Sequence, residues 1–259
     1  MAIALITGAS GGIGLSIARE LAQRKINLLL VARSEDKLLA AKKELEAKHE
    51  IKVEFLSIDL STPGSVSVLT NWVSRNSFAV NILINNAGYG VWGAVERTPW
   101  ESLNNMMQLN MVTLAELCHS MLPELKKHSE SYILNVASTA AYQAVPTLTT
   151  YAATKSFVVL FTRGLRKELK GSAVSVTCLS PGATSTSFID RAGMGALKER
   201  AEKFSMTADE VAKIAIKGMF NKRAEVIAGF MNWLSVQFTY LLPKSIIETI
   251  AANLYKTKV

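Results

Sequence analysis

Tyr151 and Lys155 stand four residues apart in Tyr-Ala-Ala-Thr-Lys. On a helix that spacing puts both side chains on one face, with the ammonium near the phenol. A neighbouring cation favours the phenolate and draws a tyrosine pKa from about 10 toward neutrality. A shift of roughly three units corresponds to about 4 kcal/mol of differential stabilisation. Such a tyrosine exchanges a proton with a substrate oxygen at physiological pH. The chain repeats the spacing at Tyr240 and Lys244, but Pro243 between them breaks or kinks a helix. The surroundings must tell the two copies apart.

Those surroundings alternate short apolar runs with longer helical patterns. Strands are expected at 2–7, 27–32, 52–58, 81–84, 132–137, 174–179 and 225–228, and helices at 13–24, 35–48, 63–76 and 151–169. Continuous runs such as Ile-Asn-Leu-Leu-Leu-Val suit strands buried on both faces. The alternation predicts an α/β fold, a doubly wound parallel sheet of about seven strands with helices on both faces. Ligands of such sheets bind beyond the carboxyl ends of the strands, so chemistry is sought there.

After the first strand comes Thr7-Gly8-Ala9-Ser10-Gly11-Gly12-Ile13-Gly14, leading into a helix. Glycines allow a tight turn and close approach of a diphosphate, and the helix N-terminus supplies N–H groups and positive dipole. The second strand ends in Val31-Ala32-Arg33-Ser34, where an NAD-selective site normally carries an acid. Arg33 instead suits a 2′-phosphate, so NADPH is the expected cofactor, with NADH the alternative. Glu35 and Asp36 read as first-turn acids of the next helix. Asp59-Leu60 follows the third strand; Asp59 meets an adenine edge or caps the next helix. Asn85-Asn86-Ala87-Gly88 closes the fourth strand, its small residues leaving room for a ribose. Ser138 closes the fifth, thirteen residues before Tyr151; the same offset before Tyr240 lands on Ile227. The constellation selects Tyr151.

Across residues 1–230 the chain resembles the short-chain dehydrogenase/reductase family. The matches are Thr-Gly-x-x-x-Gly-x-Gly at 7–14, Asn-Asn-Ala-Gly at 85–88, Asn110 in Leu-Asn-Met-Val-Thr, Ser138, Tyr151-x-x-x-Lys155, and Pro181-Gly182. The glycine spacing of 8, 12 and 14 departs from Gly-x-Gly-x-x-Gly. The resemblance implies an NAD(P)-dependent oxidoreductase with Tyr151 as general acid in reduction or base in oxidation. It implies that Lys155 lowers the tyrosine pKa and holds the nicotinamide ribose, that Ser138 holds the substrate oxygen, and that Asn110 completes a proton relay through water. Asn86, Ala87 and Gly88 then line the ribose, while Pro181, Gly182, Thr184 and Thr186 frame the nicotinamide. It also implies a substrate lid over 184–205, which contains Phe188 and Met194.

The expected seventh strand is followed by a C-terminal helical extension, 230–259. With Tyr142-Gln143-Ala144-Val145-Pro146, this tail looks like the branch holding 3-oxoacyl and hydroxysteroid reductases. Tyr89, Tyr142, Gln143, Val145 and Phe188 are the candidate substrate surface, and an apolar ketone or acyl chain fits them better than a sugar. Within the tail Phe230, Trp233, Leu234, Phe238 and Leu241 recur near helical spacing. Packing on the core or a partner subunit, covering a greasy substrate, and lying in a membrane interface are the open readings. Lys222, Arg223 and Lys244 would support the last.

The 259 residues, 49% apolar, show no linker or repeat and are read as one dinucleotide-binding and catalytic domain. Net charge is +8, of which residues 213–259 supply +5, but no aromatic-plus-basic stripe points to nucleic acid. Cys118 and Cys178 suit buried thiols of a reducing compartment, so the protein is read as cytoplasmic, with membrane association left open. His49, His119 and His128 have no ligand spacing, and no metal is expected. The first residues read as a strand rather than a signal peptide. By resemblance a homo-oligomer is expected. Alternative functions are an alcohol dehydrogenase working in the oxidative direction and an NADP(H)-binding redox sensor. The set Asn110, Ser138, Tyr151, Lys155 argues against the sensor and against a methyltransferase, neither of which needs it.

Overall fold

All seven strands expected from the apolar runs are present, and they pair in parallel as one sheet in the order Val53–Ser57, Asn27–Ala32, Ile3–Thr7, Ile82–Asn85, Ser131–Val136, Val174–Ser180, Glu225–Ile227. The computed structural model describes residues 2–186, 188, 192–193, 195 and 205–254. The strands are β1 (Ile3–Thr7), β2 (Asn27–Ala32), β3 (Val53–Ser57), β4 (Ile82–Asn85), β5 (Ser131–Val136), β6 (Val174–Ser180) and β9 (Glu225–Ile227). Two short strands, β7 (Thr184–Ser185) and β8 (Met206–Thr207), pair separately. They tie together the two ends of the expected lid. Residues 187, 189–191, 194 and 196–204 of that lid, Met194 among them, lie outside the described residues, as do 255–259 of the C-terminal extension.

Strand alternation splits the core into two layers. Ala4, Ile6, Leu28, Leu30, Ile82 and Ile84 face one side, packed with α1 (Gly12–Ala22), α2 (Glu35–Lys48) and α7 (Ala208–Phe220). Leu5, Leu29, Val31, Leu83 and Ile133 face the other, under α3 (Ser65–Arg75), α5 (Leu114–Leu125) and α6 (Thr149–Glu168). Period-two burial on both faces is why these strands read as unbroken aliphatic runs. A third cluster joins Leu103 and Met106 of α4 (Trp100–Met107) to Val145, Leu148 and Tyr151. On the first layer Ser16 of α1 donates to Asp209 Oδ1 of α7 at 2.6 Å. Thr207 and Glu210 close a capping box at the start of α7. Among the described residues no helix is long and apolar enough to cross a membrane.

Strand order reverses between β1 and β4, which opens a crevice above their carboxyl ends. One hydroxyl holds that junction. Thr7 Oγ1 donates to the Ile84 carbonyl at 3.2 Å and accepts from the backbone N–H groups of Asn86 and Ala87, each at 3.0 Å. Thr7→Val keeps the shape and leaves those two N–H groups without a partner. Urea unfolding of Thr7→Val is expected to show a loss of about 2–4 kcal/mol, and a loss of only a few tenths would remove the hydroxyl from this role.

Candidate active site

The crevice is a cleft of about 800 Å³. Its floor is built in order from the strand ends. Gly8, Ser10, Gly11, Gly12 and Ile13 come from the β1–α1 turn, and Ala32, Arg33, Ser34 and Lys37 from the end of β2 and the start of α2. Asp59 and Leu60 follow β3, and Asn86, Ala87, Gly88 and Tyr89 follow β4. Ser138, Gln143 and Val145 come after β5, Tyr151 and Lys155 from α6, and Pro181, Gly182, Thr184, Thr186 and Phe188 from beyond β6. Of the residues expected at the site, Gly14, Asn110 and Tyr142 do not line the cleft.

The turn after β1 is shaped for close approach. Gly8 has φ +68°, and a Cβ there would sit 2.7 Å from Asn86 Nδ2. Gly14 lies behind the turn, where a Cβ would run into the Gly8 carbonyl and the Asn86 amide. Asn86 Nδ2 donates to the Thr7 carbonyl at 2.9 Å and fixes the turn against β4. Gly11 precedes α1 with no side-chain cap, so the first N–H groups of the helix face the cleft. That is a cradle for an anion.

At the other end of this floor Arg33 Nη1 lies 3.5 Å from Asp59 Oδ2, both half-exposed. An open pair of this kind contributes at most about 1 kcal/mol and leaves the guanidinium available. Burial works against the Asp59 carboxylate, but hydrogen bonds from the Ser61 hydroxyl and N–H, with the Arg33 guanidinium, hold its pKa below the ordinary value. Asp59 does not cap α3, whose N-cap is Gly64. Lys37, one turn beyond Arg33, was missed because it sits in a helix that reads as solvent-facing. Its spacing of four from Arg33 was the available signal.

Tyr151 and Lys155 share the inner face of α6. Lys155 is buried, its Nζ 2.9 Å from the Val136 carbonyl and 5.9 Å from the Tyr151 ring centroid. Burial lowers its pKa from 10.5 to about 8. Cys178 behind it is pushed up to about 12 by its own burial and stays a neutral thiol. The Tyr151 ring tilts against Phe188 with centroids 5.4 Å apart. Ser138 Oγ accepts from the Ala140 N–H at 3.1 Å, so its own proton is left to donate. Tyr240, next to last in α8 (Phe230–Leu241), is 72% exposed with its ring edge-on to Tyr142, and Lys244 begins α9 (Lys244–Leu254). The second Tyr/Lys copy is split between two helices.

Asn110 sits in a π-helical turn, Gln108–Thr113, between α4 and α5. Its amide donates to the Tyr89 carbonyl at 2.9 Å and to Thr154 Oγ1 at 3.0 Å, and Oδ1 accepts from the Tyr89 N–H. A Cβ on Gly88 would lie 2.9 Å from Asn110 Oδ1 and 3.3 Å from Lys155 Nζ, so the two flank that glycine. Tyr142 turns away from the cleft. Its hydroxyl hydrogen-bonds Ser180 Oγ at 2.8 Å and the Glu225 carboxylate, which is paired with Arg163 at 2.6 Å. The short helical turn after Ser138 rotates the ring outward, and burial followed by the Glu225 bond pushes its pKa well up.

The C-terminal helices supply a further wall, and of the readings left open for their apolar stripe the structure removes packing on the chain's own core. Asn232, Ser235, Val236 and Thr239 line the cleft, while Phe230, Trp233, Phe238 and Leu241 are exposed, Phe230 by 72% and Leu241 by 76%. Asn232 packs so closely on Gly182 that a Cβ there would touch its amide. Among the described residues no group of three or more His, Cys, Asp and Glu side chains gathers.

The sequence profile of the short chain dehydrogenases matches residues 2–194. An uncharacterised oxidoreductase of Staphylococcus saprophyticus is 30% identical over 197 residues, 76% of this chain and 84% of that protein. A very-long-chain 3-oxoacyl-CoA reductase of Danio rerio is 33% identical over 183 residues, 69% of this chain and 58% of the reductase. Among solved structures, a short-chain dehydrogenase from Sphingobium yanoikuyae in complex with NADPH is similar at TM-score 0.83. Its identity is 29%, with 93% of this chain and 94% of that one covered.

Lys155 gives the site a stability signature. Between pH about 8 and 10.5 the unfolded chain holds a proton that the folded chain has released. Stability therefore rises with pH across that window, and the penalty is complete below it. Lys155→Met is expected to stabilise the protein at pH 7 by about 1–3 kcal/mol, part of the gain being lost with the Val136 hydrogen bond. The gain should disappear as pH rises to 10.5 in urea melts, leaving only the cost of the lost Val136 hydrogen bond. A variant less stable than the parent at pH 7 would contradict the buried-charge account.

Proposed function

The chain belongs to the short-chain dehydrogenase/reductase family of NAD(P)-dependent oxidoreductases, and on that premise we propose that it reduces the carbonyl of an apolar ketone or 3-oxoacyl compound, using NADPH. The observation that carries this reading is the convergence of Tyr151, Ser138 and buried Lys155 on one end of a cleft walled by Tyr89, Val145, Leu148 and Phe188. The residues present fit the cofactor. The uncapped start of α1 and the glycine turn hold its diphosphate, Asn86, Ala87 and Gly88 its ribose, and Pro181, Gly182, Thr184 and Thr186 its nicotinamide end. Arg33 and Lys37 hold a 2′-phosphate, with Ser34 beside them and Asp59 and Leu60 at the adenine. When bound, the nicotinamide supplies the hydride.

The chain's own groups handle the oxygen. Ser138 donates its free proton to the carbonyl oxygen and fixes the substrate. Tyr151 transfers its phenolic proton to that oxygen as negative charge develops there. Lys155, with one N–H on the Val136 carbonyl, has two left for the ribose and for stabilising the phenolate. Its charge acts at short range in an apolar setting, where electrostatic terms are least screened. Asn110 braces Gly88 and Tyr89, and the spare lone pair of its Oδ1 serves a relay water beside Lys155. Phe188 and the polar face of α8 close the substrate end. The chain works as a homo-oligomer, a reading supported by apolar side chains left exposed on α6 and α8, and light scattering measures it.

Tyr151→Phe is expected to cut kcat by about 10²–10⁴-fold while cofactor binding, followed by fluorescence, stays unchanged; near-parental turnover would refute the catalytic assignment. Arg33→Asp is expected to lower the preference for NADPH over NADH by at least about tenfold, with Lys37→Ala contributing in the same direction. Unaltered coenzyme selectivity in Arg33→Asp would remove the 2′-phosphate assignment.

A further inference from the structure

A second cavity of about 430 Å³ lies behind the substrate wall. Gln143, Val145 and Thr239 line both this cavity and the cleft, so the partition is one side chain thick. Its volume is in the range of small-molecule pockets, about 300–1,000 Å³. Ala152 and Ala153 of α6 and Ile247 of α9 form its far side. It lies in the groove between α6 and the C-terminal helices, parted from the cleft by Gln143, Val145 and Thr239.

The apolar part of this lining is Ala141, Ala144, Val145, Ala152, Ala153 and Ile247. The hydroxyls of Ser156, Tyr142 and Thr239, which border the cavity, are already hydrogen-bonded to protein. Ser156 donates to the Ala141 carbonyl at 2.5 Å, Tyr142 is held by Ser180 and Glu225, and Thr239 donates to the Val236 carbonyl at 2.7 Å. The two charged side chains, Lys244 and Glu248, have opposite signs and give no net preference for an ion. Gln143 differs from its neighbours. Among the described residues its side-chain amide has no hydrogen-bond partner, so no bond has to break for it to swing aside.

We propose that this second cavity is an extension of the substrate site that takes the apolar tail of a linear carbonyl compound, with Gln143 as the gate between the two chambers. The proposal rests on the carbonyl-reductase reading of the cleft and narrows its substrate from any apolar ketone to a flexible, chain-shaped one. A rigid fused-ring ketone cannot turn past Gln143. A chain of methylenes can, and each one buried tightens binding by about fourfold.

The test measures binding without turnover. The full-length Tyr151→Phe protein, loaded with NADP, is titrated by calorimetry with straight-chain methyl ketones from butanone to decanone and with a ring ketone of equal carbon number. The same titrations are made with Ala153→Trp and Ala144→Trp, two exposed positions of the cavity wall where added bulk fills the cavity without entering the core. Decanone affinity is expected to fall by at least about tenfold in both, while butanone and the ring ketone stay within about twofold. Gln143→Ala should tighten decanone by a larger factor than it changes butanone. Decanone bound equally well by the parent and both tryptophan variants would overturn the extension, as would equal weakening of decanone and the ring ketone. Failure of the Tyr151-containing enzyme to reduce any of these ketones would refute the proposed reaction and leave the chain-length result standing.

Discussion

A buried ammonium governs this molecule. Lys155 is enclosed by protein, with the Val136 carbonyl for a partner and a neutral thiol behind it. A charge held this way is unfavourable to folding, so the surrounding sheet must supply the stability that retains it. The two aliphatic layers do so, and they also fix where the charge points. α6 packs on β5 and β6 through Val158, Val159 and Leu165, which sets the rotation of the helix and aims Tyr151 and Lys155 together at the strand ends. Gly88 then has no room for a side chain, since it stands between Lys155 and Asn110. Much of the local geometry follows from making that one charge tolerable and useful.

A second set of contacts braces the site from behind. Arg163, Glu225, Tyr142 and Ser180 come from α6, β9, the turn after β5 and the end of β6. Ser180 leads directly into Pro181 and Gly182 of the cleft. The Thr139 N–H donates to the Pro181 carbonyl at 2.9 Å, closing the loop beside Ser138. Tyr142 thus braces the site from behind and lines the second cavity, not the cleft.

The strands were legible because burial on both faces of a parallel sheet leaves unbroken aliphatic runs in the sequence. The glycine turn, Arg33, Ser138 and the Tyr151/Lys155 pair were legible because each follows a strand end, and strand ends converge at a chain reversal. Tyr142 misled because closeness in sequence to Ser138 says nothing of the direction in which a tight helical turn points a ring. The facing of α8 stayed open for a more general reason. A helical period identifies two stripes but not which one faces inward. The usual choice, apolar inward, fails when the interior surface is a ligand cleft, and here the small polar stripe of Asn232, Ser235 and Thr239 faces it. Asn110 gave no sign of its π-helical turn, because the backbone distortion answers to hydrogen bonds with Tyr89 and Thr154 that are distant in sequence.

The bond between Ser16 and Asp209 spans 193 positions of the chain. Ribosomes add about 5–20 residues per second, so roughly 10–40 seconds separate the appearance of the two partners. Throughout that interval the flank of α1 that α7 will pack against has no helix over it. The order of synthesis thus runs against the order of assembly. The nascent chain carries a sticky first helix for most of its time on the ribosome, and that interval is where chaperones have the most to do.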